Sequence, residues 1–207
     1  MQIDPGELEE KDQYKLMTGS IVPRPIALVT TVGPMGPNAA PFSLFNMVGT
    51  PPPLLMFSAG NQGDGSEKDT VQNLRRVPEF VVHICNEAIA ERMNICATDF
   101  PTGVNELEKA GFTAVPSLKV RPPRIKEAPV QMECRVVRIV DFGTRHHVVF
   151  GEVVLFHYHD GIVNERGHVD LMKLNPIGRL SGSHYTRVSD LFKLDRQFIG
   201  DKPKQLT

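Results

Sequence analysis

Apolar and β-branched positions fall in short runs separated by turn residues, and few stretches repeat at helical spacing. Residues 25–32 (PIALVTTV) are rich in β-branched side chains and predict a strand. Gly33-Pro34-Met35-Gly36-Pro37 is a turn signal. Residues 38–48 (NAAPFSLFNMV) then read as the second arm of a hairpin. Pro41 cannot donate to a ladder, which assigns that arm to an edge or a bulge. Residues 54–58 (LLMFS) and 79–85 (EFVVHIC) predict two further strands. Residues 130–140 alternate around charged positions, and residues 146–157 (HHVVFGEVVLFH) run long and strand-like.

Helical signals are fewer. Val71, Leu74 and Val77 recur at helical spacing within residues 66–77, and Pro78 ends the run. Ser66 as N-cap, with Asp69 three residues later, makes a capping-box arrangement. Residues 86–98 predict a second helix with Asn86 as its cap, and residues 105–110 a short third one stopped by Gly111. Residues 1–20 are polar and charged and read as a lead-in arm, and 60–65 as a loop. Many short strands with helices inserted between them do not give the strand–helix alternation of a parallel doubly wound sheet. The expected class is mainly β with inserted helices, an antiparallel barrel.

Charge and cysteine content remove several function classes. The chain has 207 residues and a formal net charge of -1, with both signs interspersed, so it carries no nucleic-acid footprint. Cys85, Cys96 and Cys134 are odd in number and widely spaced. They predict buried small hydrophobes rather than disulfides or a zinc site. No apolar run reaches the ~18 residues of a membrane span, and the first residues lack a basic stretch followed by an apolar one. A cytoplasmic protein is expected. Gly63-Asp64-Gly65 fails as a dinucleotide fingerprint because Lys68 stands at the third glycine position. A P-loop, an HExxH and a GxSxG are absent from the sequence. His157 and His159 share a strand face without a third ligand, so no metal site is expected.

Residues 24–70 offer what a flat ring with a phosphate tail needs. Asn38-Ala39-Ala40-Pro41 presents little side-chain bulk, so a ring could lie against backbone. Ser43, Asn46 and Ser58 are nearby hydrogen-bonding side chains. Lys68 and Thr70 fall in the first turn of the predicted helix, whose N-terminus favours an anion. Arg24, flanked by prolines, is held extended and could reach in. Each residue alone has an ordinary structural explanation, and the spacing does not identify the ligand.

Several of these stretches together resemble a known family. They are residues 21–31 (IVPRPIALVTT), 38–43 (NAAPFS), Pro52-Pro53-Leu54, Lys68-Asp69-Thr70, 79–82 (EFVV), Gly151-Glu152-Val153-Val154 and Pro176-Ile177-Gly178-Arg179-Leu180. In this order they resemble the flavin reductase-like family, and more narrowly its flavoredoxin-type branch, over roughly residues 18–190. The resemblance implies a split β-barrel that binds FMN at a homodimer interface. It implies a cofactor surrounded by Thr30, Thr31, Asn38, Ala39, Ala40, Ser43, Asn46, Ser58, Lys68 and Thr70. Arg179, His184 and Tyr185 would approach from the C-terminal segment. The expected organisation is an arm at 1–17, the domain at 18–190 and an extension at 191–207. The expected activity is electron transfer from NAD(P)H to flavin. The alternatives are an FMN-carrying electron-transfer protein fed by a redox partner, or a flavin- or heme-binding module without turnover. Since a flavin carries its own redox chemistry, the lack of a catalytic triad does not weigh against an enzyme.

Overall fold

In a computed structural model, residues 1–194 are described; of the expected extension, 195–207 lie outside them. The chain opens with a 3-10 turn at Pro5–Glu7 and helix α1 (Glu10–Ser20). Then come β1 (Ala27–Gly33), β2 (Gly36–Phe42), β3 (Phe45–Gly49), β4 (Leu54–Gly60), α2 (Asp69–Arg76) and β5 (Glu79–Ile84). A 3-10 turn at Glu87–Ile89 leads into α3 (Ala90–Ile95), followed by α4 (Glu106–Lys109), β6 (Ala114–Val115) and β7 (Arg124–Ile125). The long pair β8 (Val130–Phe142) and β9 (His146–Tyr158) precedes α5 (Leu171–Leu174), β10 (Ile177–Arg179) and β11 (Tyr185–Arg187).

Seven strands form one antiparallel sheet in the order β2-β1-β5-β8-β9-β4-β3. One face encloses the larger core, with Phe42, Phe45, Leu55, Phe57, Phe80 and Val149 at its centre. Helix α2 closes this core because Val71 and Leu74, three residues apart, fall on one helix face. A second core packs Leu28 and Ala39 against Met93 of α3 and Leu107 of α4. The three thiols are buried in these cores. Burial pushes those of Cys85 and Cys96 up to about 12, and that of Cys134 upward as well. They serve as small hydrophobes.

Four expectations change. The polar N-terminal arm contains a helix, α1, whose Thr18 carbonyl accepts from the Arg24 guanidinium (2.6 Å). Residues 38–48 form two strands broken at Ser43–Leu44, where the Ser58 N–H donates to the Leu44 carbonyl (2.8 Å). Ser66 is not a cap. Its hydroxyl donates to Asp64 (2.6 Å), α2 starts later, and Lys68 occupies the N-cap position. Asn86 precedes the 3-10 turn without a side-chain cap bond, so the helix expected over 86–98 divides into that turn and α3. The edge expectation for Pro41 agrees with the sheet order, since β2 is terminal. The short helix expected near 105–110 is also there, as α4 with Asn105 as its side-chain cap.

His83 ties β1 to β7 across β5. Its Nδ1–H donates to the Leu28 carbonyl (2.8 Å), and its Nε2 accepts from the Ile125 N–H (2.9 Å). Both bonds require the neutral ring, and complete burial pushes its pKa down to about 4. The unfolded chain therefore takes up this proton first as pH falls. The contribution of His83 is complete above the unfolded pKa of 6.5 and is lost as pH falls toward 4. Urea denaturation at pH 6.5, 5.5 and 4.5 should show wild type losing about 1.4 kcal/mol per pH unit more than His83→Gln. Parallel slopes would remove the neutral-histidine assignment.

Candidate functional site

Two cavities adjoin along β2. One, about 110 Å³, lies between β2 and the start of α2 and includes Ala40, Gln62, Lys68, Thr70 and Glu106 in its lining. The other, about 320 Å³, runs from Ser43 past Asn94 to Arg179 and Tyr185. Both are walled by Pro41 and Ala97, so they are two reaches of one groove along the sheet edge.

The β2 backbone sets the character of this groove. Its Ala39 N–H points away from β1 and donates to Glu106 Oε2 (3.1 Å). Antiparallel alternation turns residues 37 and 41 to the same outward side. Both are prolines and have no N–H. The outward edge thus offers only carbonyl acceptors beyond the single donor held by Glu106.

Asn38 is the hub behind that edge. Its Nδ2 donates to Glu106 Oε1 (2.8 Å), which turns its Oδ1 toward the hydroxyls of Thr31 (3.3 Å) and Thr70 (3.0 Å). Thr31 in turn accepts from Asn73 Nδ2 (3.1 Å). The network joins β1, β2, α2 and α4. Burial, with some help from the charge of Asp69, raises the Glu106 pKa above the ordinary carboxylate value, against the pull of its own backbone N–H and of its donors Ala39 and Asn38.

The start of α2 supplies donors that the fold leaves open. Among the described residues, neither the Asp69 nor the Thr70 backbone N–H has a partner within the chain. Lys68 Nζ stands at the same place, paired at 3.3 Å with Asp99, whose side chain is largely exposed. Two open N–H groups, a helix N-terminus and an ammonium make a corner whose chemistry suits an anion.

The predicted residues divide into four sets. Asn38, Ala40, Lys68 and Thr70 meet at the smaller cavity, and Ser43, Arg24, Arg179 and Tyr185 at the larger. Arg179 stacks on the Tyr185 ring (4.5 Å) and also donates to its phenol oxygen. Thr30, Thr31 and Ala39 are fully buried behind the groove, and Thr30 donates to the Pro123 carbonyl (2.6 Å). Asn46 is exposed on β3, where it accepts from the Met47 N–H; Ser58 and His184 border neither reach. The idea that Arg24 reaches toward a ligand needs correction. Its guanidinium is committed to the carbonyls of Thr18, Ile21 and Leu180, and only its buried Nε lacks a partner among the described residues. His157 and His159 meet Glu133 and the Lys126 carbonyl. No acid or histidine cluster suited to a metal occurs among the described residues.

Sequence reasoning missed Glu106, Asp99 and Gln62. An acid in the first turn of a short helix is an ordinary way to complement its dipole, so the residue type alone gave no signal. Only the fold brings residue 106 against residues 38 and 39.

Residues 18–172 match the flavin reductase like domain. The chain belongs to this family. An uncharacterized protein of Aquifex aeolicus is 45% identical over 87% of this chain and 92% of its own. The structure of nitrilotriacetate monooxygenase component B from Bacillus cereus superposes with a TM-score of 0.90 at 38% identity, over 94% of this chain and 98% of that one. The Pseudomonas fluorescens 2-nitrobenzoate 2-nitroreductase NbaA gives 0.88 at 38% identity, over 95% and 96%. The fold is the split barrel of this family. No helix among the described residues is long and apolar enough to cross a membrane.

Asn38→Ala would leave the hydroxyl protons of Thr31 and Thr70 without their acceptor, and a Glu106 carboxylate oxygen without its donor, in this flavin reductase-like fold. Urea unfolding should show a loss of about 2–4 kcal/mol, against less than about 0.5 kcal/mol for Ser43→Ala. Equal small losses for both variants would mean that the network carries no stability.

Proposed function

We propose that the chain binds FMN along the β2–α2 groove and passes electrons from NAD(P)H to flavin. Membership of the family supports a flavin-related oxidoreductase. The observation that carries the finer reading is the open donor set at the start of α2, at one end of a groove walled by side-chain-poor backbone. Lys68 Nζ and the N–H groups of Asp69 and Thr70 suit a terminal phosphate. Ala40 and Pro41 leave room for a planar ring beside carbonyl acceptors, and Ser43, Arg179 and Tyr185 border the far reach. These residues fit FMN.

Flavin, when bound, supplies the two-electron redox chemistry. The chain's own residues bind and orient. Lys68 neutralises phosphate charge, the β2 carbonyls accept from a ring N–H, and the Arg179–Tyr185 stack shields the far end from water. Steady-state NADH and NADPH oxidation, with and without added FMN, tests the activity. Turnover that rises with added FMN supports the reductase reading, and no oxidation of either nucleotide contradicts it. The 38% identity to NbaA favours a second reading, a small nitroaromatic as electron acceptor. It is distinguished by turnover with 2-nitrobenzoate in place of added FMN.

A homodimer completes this reading. Met17 and Ile21 of the α1 region and Leu44, Met47 and Val48 near edge strand β3 are exposed, and a groove of about 840 Å³ lies between α1 and Leu44. Closed two-fold assembly is the commonest way to cover such a surface. Light scattering at micromolar concentration should give twice the chain mass; the mass of a single chain would contradict it.

Lys68→Ala should weaken FMN binding by about ten- to a hundredfold, the effect of one charge-assisted hydrogen bond. Riboflavin, which lacks the phosphate, should bind wild type and variant alike. Fluorescence titration of apoprotein measures both. Equal weakening of the two ligands would place Lys68 away from the phosphate.

A further inference from the structure

Thr70 lines the smaller cavity beside Lys68, yet its hydroxyl proton is already committed. The side chain is 1% exposed, and its Oγ1 donates to Asn38 Oδ1 at 3.0 Å. A hydroxyl has one proton and two lone pairs. Toward the groove, Thr70 Oγ1 is therefore an acceptor. An acceptor opposes a phosphate oxygen and matches the O–H of a polyol.

The orientation of Asn38 traces to Glu106. A carboxylate only accepts, so the Asn38 amide must present Nδ2 to Glu106 Oε1, and its Oδ1 must then face the two threonines. Glu106 itself is 8% exposed, and both of its oxygens are engaged as acceptors, the second by the Ala39 backbone N–H.

We propose that Glu106 is a positioning residue that sets the hydrogen-bond polarity of the groove. It makes Thr70 the acceptor for a ribityl hydroxyl and leaves the phosphate to Lys68 and the open N–H groups of α2. The inference rests on the flavin reading above and divides that ligand between neighbouring groups. The buried carboxylate adds to the division by disfavouring an anion on its own side of the cavity.

Glu106→Gln reverses the polarity without changing shape. The Ala39 N–H cannot turn, so the introduced amide must offer it Oε1 and present its own Nε2 to Asn38. The Asn38 amide then flips, accepts from that Nε2 through Oδ1 and donates through Nδ2 to the threonine oxygens. The Thr70 proton is released into the groove, where it can donate to phosphate.

The test combines two ligands with one ligand-free measurement. Fluorescence titration with FMN and riboflavin should show the preference for FMN rising about tenfold in Glu106→Gln, the effect of one added bond to a charged group. The rise should vanish in Glu106→Gln/Thr70→Val. A merely structural role would weaken both ligands together and leave their ratio unchanged, which overturns the proposal. A rise that persists without the Thr70 hydroxyl also overturns it, since loss of the buried charge would then suffice. Thr70→Val alone should weaken FMN and riboflavin by the same factor. Weakening of FMN alone would make Thr70 a phosphate donor and contradict the assignment. In apoprotein, nuclear Overhauser contacts of the Asn38 amide protons should move from the residue 106 side chain to the Thr70 methyl on Glu106→Gln. Unmoved contacts refute the flip. If wild type binds neither ligand, the flavin reading fails, and these contacts alone decide the polarity assignment.

Discussion

The outward side of an edge strand must be closed or it becomes a template for another chain. Strand β2 meets this constraint with three residues. Pro37 and Pro41 have no donor, and the one remaining N–H, that of Ala39, is held by Glu106. The rest of the groove depends on this arrangement. Helix α4 stands where it does to deliver Glu106. The Glu106 carboxylate dictates which way Asn38 faces, and Asn38 binds the first turn of α2 to the sheet. What is left open is narrow: carbonyls along β2 and two N–H groups at the helix start, beside an ammonium paired with the exposed Asp99.

Strand positions were legible because their signals are local. The β-branched run of β1 and the alternation of β8 report the chain's own conformation, and both strands appear where their patterns predict; Pro41 marked β2 as an edge, but not the break that separates it from β3. Helix starts were less legible because a cap is a competition between neighbours. Ser66 had the right spacing, but Asp64, two residues away, takes its hydroxyl and backbone N–H. Helix α1 carries only one buried residue, Thr18, and so leaves no apolar stripe to read.

The site was legible by residue type but not by direction. Thr30, Thr31 and Thr70 are all hydroxyls near the groove, yet each donates inward, to Pro123, Asn38 and Asn38 respectively. Sequence spacing cannot reveal where a hydroxyl proton goes. Two of the stretches that carried the family resemblance turn out to be one contact. Arg24 and Arg179 exchange backbone hydrogen bonds (3.0 and 2.8 Å), and a Cβ on Gly178 would lie 2.7 Å from Pro23 Cβ. Gly151 has a similar reason, since a Cβ there would stand 2.3 Å from the buried Phe80 ring. These glycines are required for close packing, which is a fact about the fold rather than about chemistry at the groove.

The central claim is that a flavin occupies the groove between β2 and the start of α2. Titrating ¹⁵N-labelled apoprotein with FMN and following backbone amide shifts tests it most directly. The largest changes should fall on Ala40, Lys68, Asp69, Thr70 and Ala97, with saturation at one FMN per chain. Changes confined to the α1 groove or to the outer faces of β8 and β9, with those five amides unmoved, would contradict it.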